Sequence, residues 1–430
     1  MIRKILKGSV LMLIASFYLF TISFTFLPYA VNSKILVAVF GMIVFVYDCI
    51  RKSALEISRS TLVAALLAIV FSLWCLFSVT VNNTYEMDYA TYIVSFLTWM
   101  AGAYGVYAAL RIGYGTVDMW ILVRYLALVG VFQCISAVAI DNNSAFCNFV
   151  DRFMIGGDYY REHMRMYGIG AALDPAGIRF SVILVMIAHQ FSYDPEVRKN
   201  GLFQTTDMVA YAIILIIGST ISRTTIVGGA MGIAYMMISL IRLRQGGFIT
   251  TRMVQVFFIF IVVLAGIIAS AIYFYRTSET FQGYLRFGFE AFFNWAETGE
   301  FRTSSTDELG KMWVWPADTR TWIIGRGTFG VFENFTDIGY CNFTFYCGLV
   351  GLMIFSIYFI YVHLVLNRKF RNFLIPSLLF IALTFIIWCK VTTDIFFIDA
   401  LLFCIAGDDE EETLLEVESN SEKVLEEAIT

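Results

Sequence analysis

The stretch from Thr61 to Val81 reads TLVAALLAIVFSLWCLFSVTV, without one charged side chain. It is long enough to cross the hydrocarbon core of a bilayer, which takes about 20 apolar residues as helix. In that solvent no water satisfies a backbone N–H or C=O, so a spanning segment closes its own hydrogen bonds. The same pattern recurs on both sides. Ser9–Val31 and Lys34–Ile50 precede it; Tyr89–Leu110, Met119–Ile140, Pro175–Phe191, Met208–Ile221 and Thr224–Ile241 follow. Met253–Tyr275, Tyr340–Leu366 and Phe373–Cys389 continue the series, and a shorter Ile395–Ala406 ends it. Of the 430 residues, 59% are hydrophobic and 15% charged, where a soluble domain carries roughly a quarter charged. The expected fold is an all-α polytopic membrane protein of about 12 transmembrane helices, one domain over 1–407. The first span is too long for the apolar region of a cleavable signal peptide, and no small-residue cleavage site follows it.

Lysine and arginine in the short loops give the orientation. Arg3, Lys4 and Lys7 precede the first span; Arg51, Lys52 and Arg59 follow the second, and Arg111 the fourth. Arg198 and Lys199 follow the sixth, Arg242, Arg244 and Arg252 the eighth, and Arg368, Lys369 and Arg371 the tenth. Every second loop is basic, which predicts a cytoplasmic N-terminus. The net charge of −4 conceals two regions: 408–430 holds ten acidic residues against Lys423, and the remainder has 29 basic against 24 acidic. The tail reads as a disordered, solvated cytoplasmic extension; were the short last span not to cross, it would lie on the other face. The eight cysteines stand singly, with no CxxC or Cys/His spacing for zinc. Cys147, Cys341 and Cys347 fall at the non-cytoplasmic face, which leaves a disulfide among them open.

Two loops on that face are long, 141–174 and 276–339. Loops of this length are functional or disordered, and dense aromatics argue for order. Phe281, Tyr284, Leu285, Phe289, Phe292 and Phe293 recur at helical spacing up to Trp295. They predict an amphipathic helix, either on the membrane surface or packed as a lid over the bundle. Arginine is the unusual component. Arg152, Arg161 and Arg165 occupy the first loop; Arg276, Arg286, Arg302, Arg320 and Arg326 occupy the second, where Lys311 is the only lysine. Positive charge is normally depleted on this face. A guanidinium binds phosphate bidentately and stays protonated, so the set suits a lipid-linked diphosphate. Ion pairs to the neighbouring Asp and Glu residues, or contacts with anionic lipid heads, are the alternative. Arg223 lies in Gly218-Ser-Thr-Ile-Ser-Arg-Thr-Thr, where only Ser222, Arg223 and Thr224 separate two spans. An ionisable residue held at that depth is a functional-site candidate, against the simpler reading of a snorkelling anchor.

These segments resemble the O-antigen polymerase (Wzy) family and the related O-antigen ligases. Ser222-Arg223-Thr224 followed by Gly228-Gly229 looks like their Ser-Arg-Thr element. Trp322-Ile-Ile-Gly-Arg-Gly-Thr-Phe-Gly330 is similar to the Gly-x-Gly segment that ends their long periplasmic loop. Asp337-Ile-Gly-Tyr340 with Tyr346-Cys-Gly-Leu-Val-Gly351 resembles the entry to the following helix. Arg165-Met-Tyr-Gly168 with Asp174-Pro-Ala-Gly177 resembles the stretch leading into the sixth. The match covers Arg161–Gly351, with its elements in the family's order. It implies a fold similar to C-type glycosyltransferases and a polymerase that joins repeat units carried on undecaprenyl diphosphate. The site would be periplasmic, in a bacterial inner membrane. The partners implied are the lipid-linked oligosaccharide, membrane lipid, a chain-length regulator and a flippase; nucleic acid and cofactor are not among them, and no metal is implied. Arg223 and Arg165, and with them Arg161 and Arg286, would bind the diphosphate and stabilise charge on the leaving group.

The acceptor hydroxyl needs a general base within hydrogen-bond reach. Ligases are thought to use a histidine of the long loop, and 276–339 contains none. Of His163, His189 and His363, only His163 falls on the outer side. Glu297, Glu300, Asp318, Glu333 and Asp337 are carboxylate candidates, although Asp337 is also placed to cap the tenth helix. The candidate catalytic residues are thus Arg223, Arg165, His163 and Glu297. The candidate substrate-binding residues are Arg161, Arg152, Arg276, Arg286, Arg320, Arg326 and Asp337. A ligase, a transporter and a non-catalytic assembly protein are the rival classes. Transporters usually carry internal repeats and midplane charges; no repeat is legible here, and Lys390, Asp394 and Asp399 read as a short outside turn.

Overall fold

The computed structural model describes residues 2–28, 30–53, 57–162, 165–245, 279–329 and 336–406, with scattered positions between 254 and 269. His163, Arg276, Glu333, most of the ninth expected span and the acidic tail lie outside the described residues. Among the described residues there is no sheet, only two isolated antiparallel bridges. The protein is an all-α multi-pass membrane protein. Among the described residues eight helices are long and apolar enough to cross a bilayer, and Ile5–Leu19, Leu374–Trp388 and Phe396–Ala406 are shorter apolar helices.

The spans begin α1 (Ile2–Leu19), α2 (Ser33–Lys52), α3 (Arg59–Val81), α4 (Tyr92–Tyr114) and α5 (Met119–Asn142). After two short loop helices, α6 (Ser144–Phe153) and α7 (Gly157–Glu162), comes α8 (Leu173–Tyr193). The short α9 (Pro195–Lys199) leads to α10 (Gly201–Ile221) and α11 (Thr224–Gln245). Polar caps start several of them: Asn32, Ser58 and Asp118 each accept a backbone N–H three residues on, which satisfies a donor left over at the first turn. Chain entry into these three spans is thereby defined by one side chain each.

The most central span is α8, 89% of whose apolar window is buried inside the protein. It packs most extensively on α11, because Gly228 lets the two backbones meet: a Cβ there would stand 2.2 Å from Ser181 Cα. Small residues at such a crossing are the usual means of helix association in lipid. Peripheral α2 shows the opposite pattern, with Leu36, Val39, Ile43 and Ile50 exposed. Such an apolar surface requires lipid rather than water around it.

The first expected span, Ser9–Val31, is a helix only to Leu19. Apolar composition reports compatibility with lipid, whereas helix continuity depends on where the hydrogen bonds go. Beyond α1 the Ser33 hydroxyl donates to Phe17 O at 2.8 Å and accepts from Ile22 N at 2.8 Å. Thr25 N donates to Phe153 O at 3.1 Å, and Ile155 N to Ser23 O at 2.9 Å. Irregular backbone is thus tolerated because protein covers it.

Among its described residues the long loop holds four helices: α12 (Glu279–Gly288), α13 (Glu290–Thr298), α14 (Ser304–Lys311) and α15 (Thr319–Ile324). The single amphipathic helix expected across Phe281–Trp295 is two, parted at Phe289. Then α16 (Gly339–Lys369) is broken at Gly348, whose φ is 67°. Four donors take the carbonyls that the break frees. Arg326 N reaches Phe345 O at 2.5 Å, and Gly327 N reaches Tyr346 O at 3.0 Å. Ser78 Oγ also reaches Tyr346 O, and Trp74 Nε1 reaches Cys347 O, both at 2.8 Å. The Gly-Arg-Gly segment is therefore inserted at helix depth as the missing partner of a broken span.

The chain ends its described part with α17 (Leu374–Trp388) and α18 (Phe396–Ala406). Asp399 does not lie in an outside turn. It is wholly buried on α18, with His363 Nδ1 3.5 Å from its carboxylate. Periodicity could not reveal this, because α18 is interior on every face. All eight cysteines are free thiols.

Candidate functional site

Both halves of the site come from residues that the helices bring to the long-loop end of the bundle. Only Ser222 and Arg223 connect α10 to α11, and Arg223 is at the tip of this hairpin. Its Nε donates to Phe287 O at 2.6 Å, and Nη2 pairs with Glu290 Oε2 at 2.7 Å. Glu290 also accepts from Ser304 N at 2.9 Å and from Ser304 Oγ at 3.1 Å. One carboxylate therefore joins the hairpin to α13 and α14. Arg223 Nη1 is buried without a partner among the described residues, a donor left unsatisfied at the end of the hairpin. Burial pushes this guanidinium below its ordinary value, with Glu290 opposing and Arg165 adding to the effect.

Arg165 reaches the same place from the first long loop. Its Cζ and that of Arg223 each lie 4.2 Å from the ring centroid of Phe287. A ring between two guanidinium groups offsets part of their repulsion by cation–π attraction. Among the described residues no carboxylate lies within ion-pair distance of Arg165.

The third cation is Lys390, in the turn between α17 and α18. Its Nζ bonds Asp174 Oδ1 at 2.5 Å. Asp174, in the first turn of α8, also accepts from Ser222 Oγ at 3.3 Å and Thr224 Oγ1 at 3.1 Å. The two hydroxyls that flank Arg223 thus hold the carboxylate that holds Lys390. Together these groups line a cavity of about 480 Å³, with Glu308, Asp337 and Met312 on its loop side. Small-molecule sites fall in this size range.

Of the residues singled out from sequence, Arg165, Arg223 and Asp337 line this cavity. Asp337 does not cap α16: the N-cap is Ile338, with no side-chain cap bond, and Asp337 stands one residue outside it. Arg161 is engaged elsewhere, paired with Asp151 and Asp158 and 2.9 Å from Cys147 Sγ. Arg286 and Glu297 pair with each other at 2.7 Å, nearly half exposed. Arg302 pairs with Glu300 and Asp307. For these three arginines the ion-pair alternative describes what is seen. Arg152 and Arg320 are exposed, Arg320 donating to Val81 O at 3.3 Å. Arg326 lies over the Phe345 ring at 5.1 Å, beside the helix break. None of them lines the cavity.

Because the Arg286–Glu297 pair is solvated, it contributes roughly 0–1 kcal/mol. Arg286→Ala and Glu297→Gln are each expected to leave membrane level and thermal unfolding in detergent unaltered. A clearly lowered melting temperature in either variant would make the pair a structural one.

Sequence reading missed Lys390 and Asp174 as site members. The one available signal was a lone lysine next to an apolar span, a placement that costs free energy and therefore points to function. No protein-family model, curated protein or solved structure matches the chain.

Proposed function

We propose that this chain polymerises oligosaccharide repeat units carried on undecaprenyl diphosphate, in a bacterial inner membrane with its N-terminus in the cytoplasm. The finer architecture belongs to the same proposal: about twelve spans, counting the ninth, in an arrangement related to C-type glycosyltransferases. The observation that carries it is the convergence of Arg165, Arg223 and Lys390 on one cavity at the long-loop end. They come from three distant parts of the chain.

Each cation has an intramolecular contact that a diphosphate can replace. Glu290 occupies one edge of Arg223, Asp174 occupies Lys390, and Arg165 rests on Phe287. In the transfer, the bond from the anomeric carbon to the diphosphate oxygen breaks while a bond to an acceptor hydroxyl forms. Negative charge grows on the departing diphosphate, and preorganised cations aimed at that charge are the largest contribution such a site can make. Glu297, in its solvated pair with Arg286, does not line the cavity and is set aside as a base.

A transporter is not favoured by the break at Gly348. The carbonyls freed there are already bonded by Arg326, Gly327, Ser78 and Trp74, whereas broken transporter helices turn such groups toward an ion. Deleting the gene in its host and resolving surface polysaccharide on a gel tests the reading. The expected result is single repeat units where the parent strain shows a ladder. Loss of all glycan from its final acceptor, with long lipid-linked chains accumulating, would make the protein a ligase. An unchanged profile would remove both.

A further inference from the structure

The turn that supplies Lys390 faces two cavities. Lys390 and Val391 line the first, and the next three residues, Thr392, Thr393 and Asp394, line a second of about 430 Å³. Helix α8 walls both in the same way, giving Asp174 to the first and Arg179 to the second. Five residues of helix advance about 7.5 Å, so the cavities are immediate neighbours.

Their chemistry differs. The first carries three cations. The second has one, Arg179, against Asp88 and Asp394, together with the Ser95 hydroxyl and the rings of Tyr92 and Trp99. Carboxylates and a hydroxyl bond sugar hydroxyls, and aromatic faces cover the C–H face of a sugar ring. A prenyl chain would fit poorly, since it would strip water from Arg179 and Asp394 without replacing it. Arg179 Nη1 donates to Pro175 O at 2.7 Å, while its buried Nε has no partner among the described residues. Asp394 is held in place by Phe396 N, which donates to Oδ1 at 2.9 Å, and by the Tyr92 hydroxyl at 3.4 Å. Burial keeps its carboxyl above the usual carboxylate range, against the pull of these donors and of Lys34 and Arg179. Such a carboxylate is a better proton acceptor near neutral pH than a solvated one.

We infer that the second cavity seats the terminal sugar of the acceptor, with Asp394 hydrogen-bonded to its attacking hydroxyl. This rests on the lipid-diphosphate reading of the first cavity. The acceptor oxygen bonds the anomeric carbon as that carbon's bond to the diphosphate oxygen breaks. The electron pair leaves with the diphosphate toward Arg165, Arg223 and Lys390, and the hydroxyl proton passes to Asp394.

The test uses the full chain in lipid nanodiscs, with sugar-free undecaprenyl diphosphate as the binding probe, and polymer length in cells. Ser95→Phe fills the second cavity; Asp394→Asn removes the base and keeps an acceptor for Phe396 N. Both are expected to bind the probe within about twofold of the unaltered chain and to lose polymer about tenfold to a hundredfold. Normal polymer in both variants would overturn the inference. So would probe binding weakened tenfold by Ser95→Phe, which would assign the cavity to the prenyl chain. Where Ser95→Phe does not fold, Asp394→Asn, which adds no volume, decides. Failure of the underlying reading looks different: Arg223→Ala would then bind the probe and polymerise like the unaltered chain.

Discussion

Arg223→Ala is expected to abolish polymer while the protein reaches the membrane at its normal level. The side chain is 18% exposed and makes its bonds to a backbone carbonyl and to Glu290, so its removal leaves the spans themselves intact. Removing one preorganised group that faces a developing charge costs about 10²–10³-fold in rate, or roughly 3–4 kcal/mol. Arg223→Lys separates charge from shape. Lysine keeps the positive charge, but it lacks the planar fork of donors. A loss of activity in the lysine variant within a few-fold of the alanine loss is the result expected for bidentate contact. Full chain length in Arg223→Lys would reduce the role of Arg223 to a point charge. Full chain length in Arg223→Ala would remove it from the site. The measurement is a polysaccharide ladder together with an immunoblot of membranes.

How far each conclusion could be reached from sequence depends on what kind of signal carried it. The spans were legible because hydrocarbon imposes one rule on every residue within it. Thr61–Val81 reads as a helix from composition alone, and it is one. Arg223 was legible because two spans left it almost no loop to occupy. Helix ends were less so: the residues after Leu19 are as apolar as those before it, and the bonds from Ser33 that end α1 connect positions far apart in the chain. The arginine set was legible as a surplus, but not as a site. Arg161, Arg286 and Arg302 have carboxylates within a few residues or across one short helix, and those local pairs win. Arg165 and Arg223 instead meet over a ring from a third segment. Lys390 was hidden for a related reason. Its partner Asp174 is 216 residues away, and local pattern carries no information at that range.

Gly348→Ala is expected to have the second-largest effect, on stability and on activity together. At φ 67° and ψ −177° this residue occupies backbone space that is open essentially to glycine alone. A Cβ there would also stand 2.2 Å from Ile323 O, a backbone atom that cannot turn away. The backbone contribution is about 1–3 kcal/mol, and the overpacking adds about 1–3 kcal/mol. Relief requires Ile323 and the Gly-Arg-Gly segment to move outward. That would break the bonds from Arg326 N and Gly327 N to Phe345 O and Tyr346 O. Tyr346 O would keep the bond from Ser78 Oγ, but Phe345 O would lose its donor, and lipid supplies none. Phe329, two residues past Gly327, whose N–H bonds Tyr346 O, would leave the wall of the second cavity. Activity should therefore fall even in protein that remains inserted. Gly310→Ala is the control: it lies in α14 with nothing within 4 Å of the added carbon, so it should leave stability level or slightly raised. Thermal unfolding of the two variants in detergent separates the cases. A Gly348→Ala melting temperature equal to that of Gly310→Ala would mean that the break is not held by the inserted segment. The depth at which the loop reaches the cavities would then have another cause.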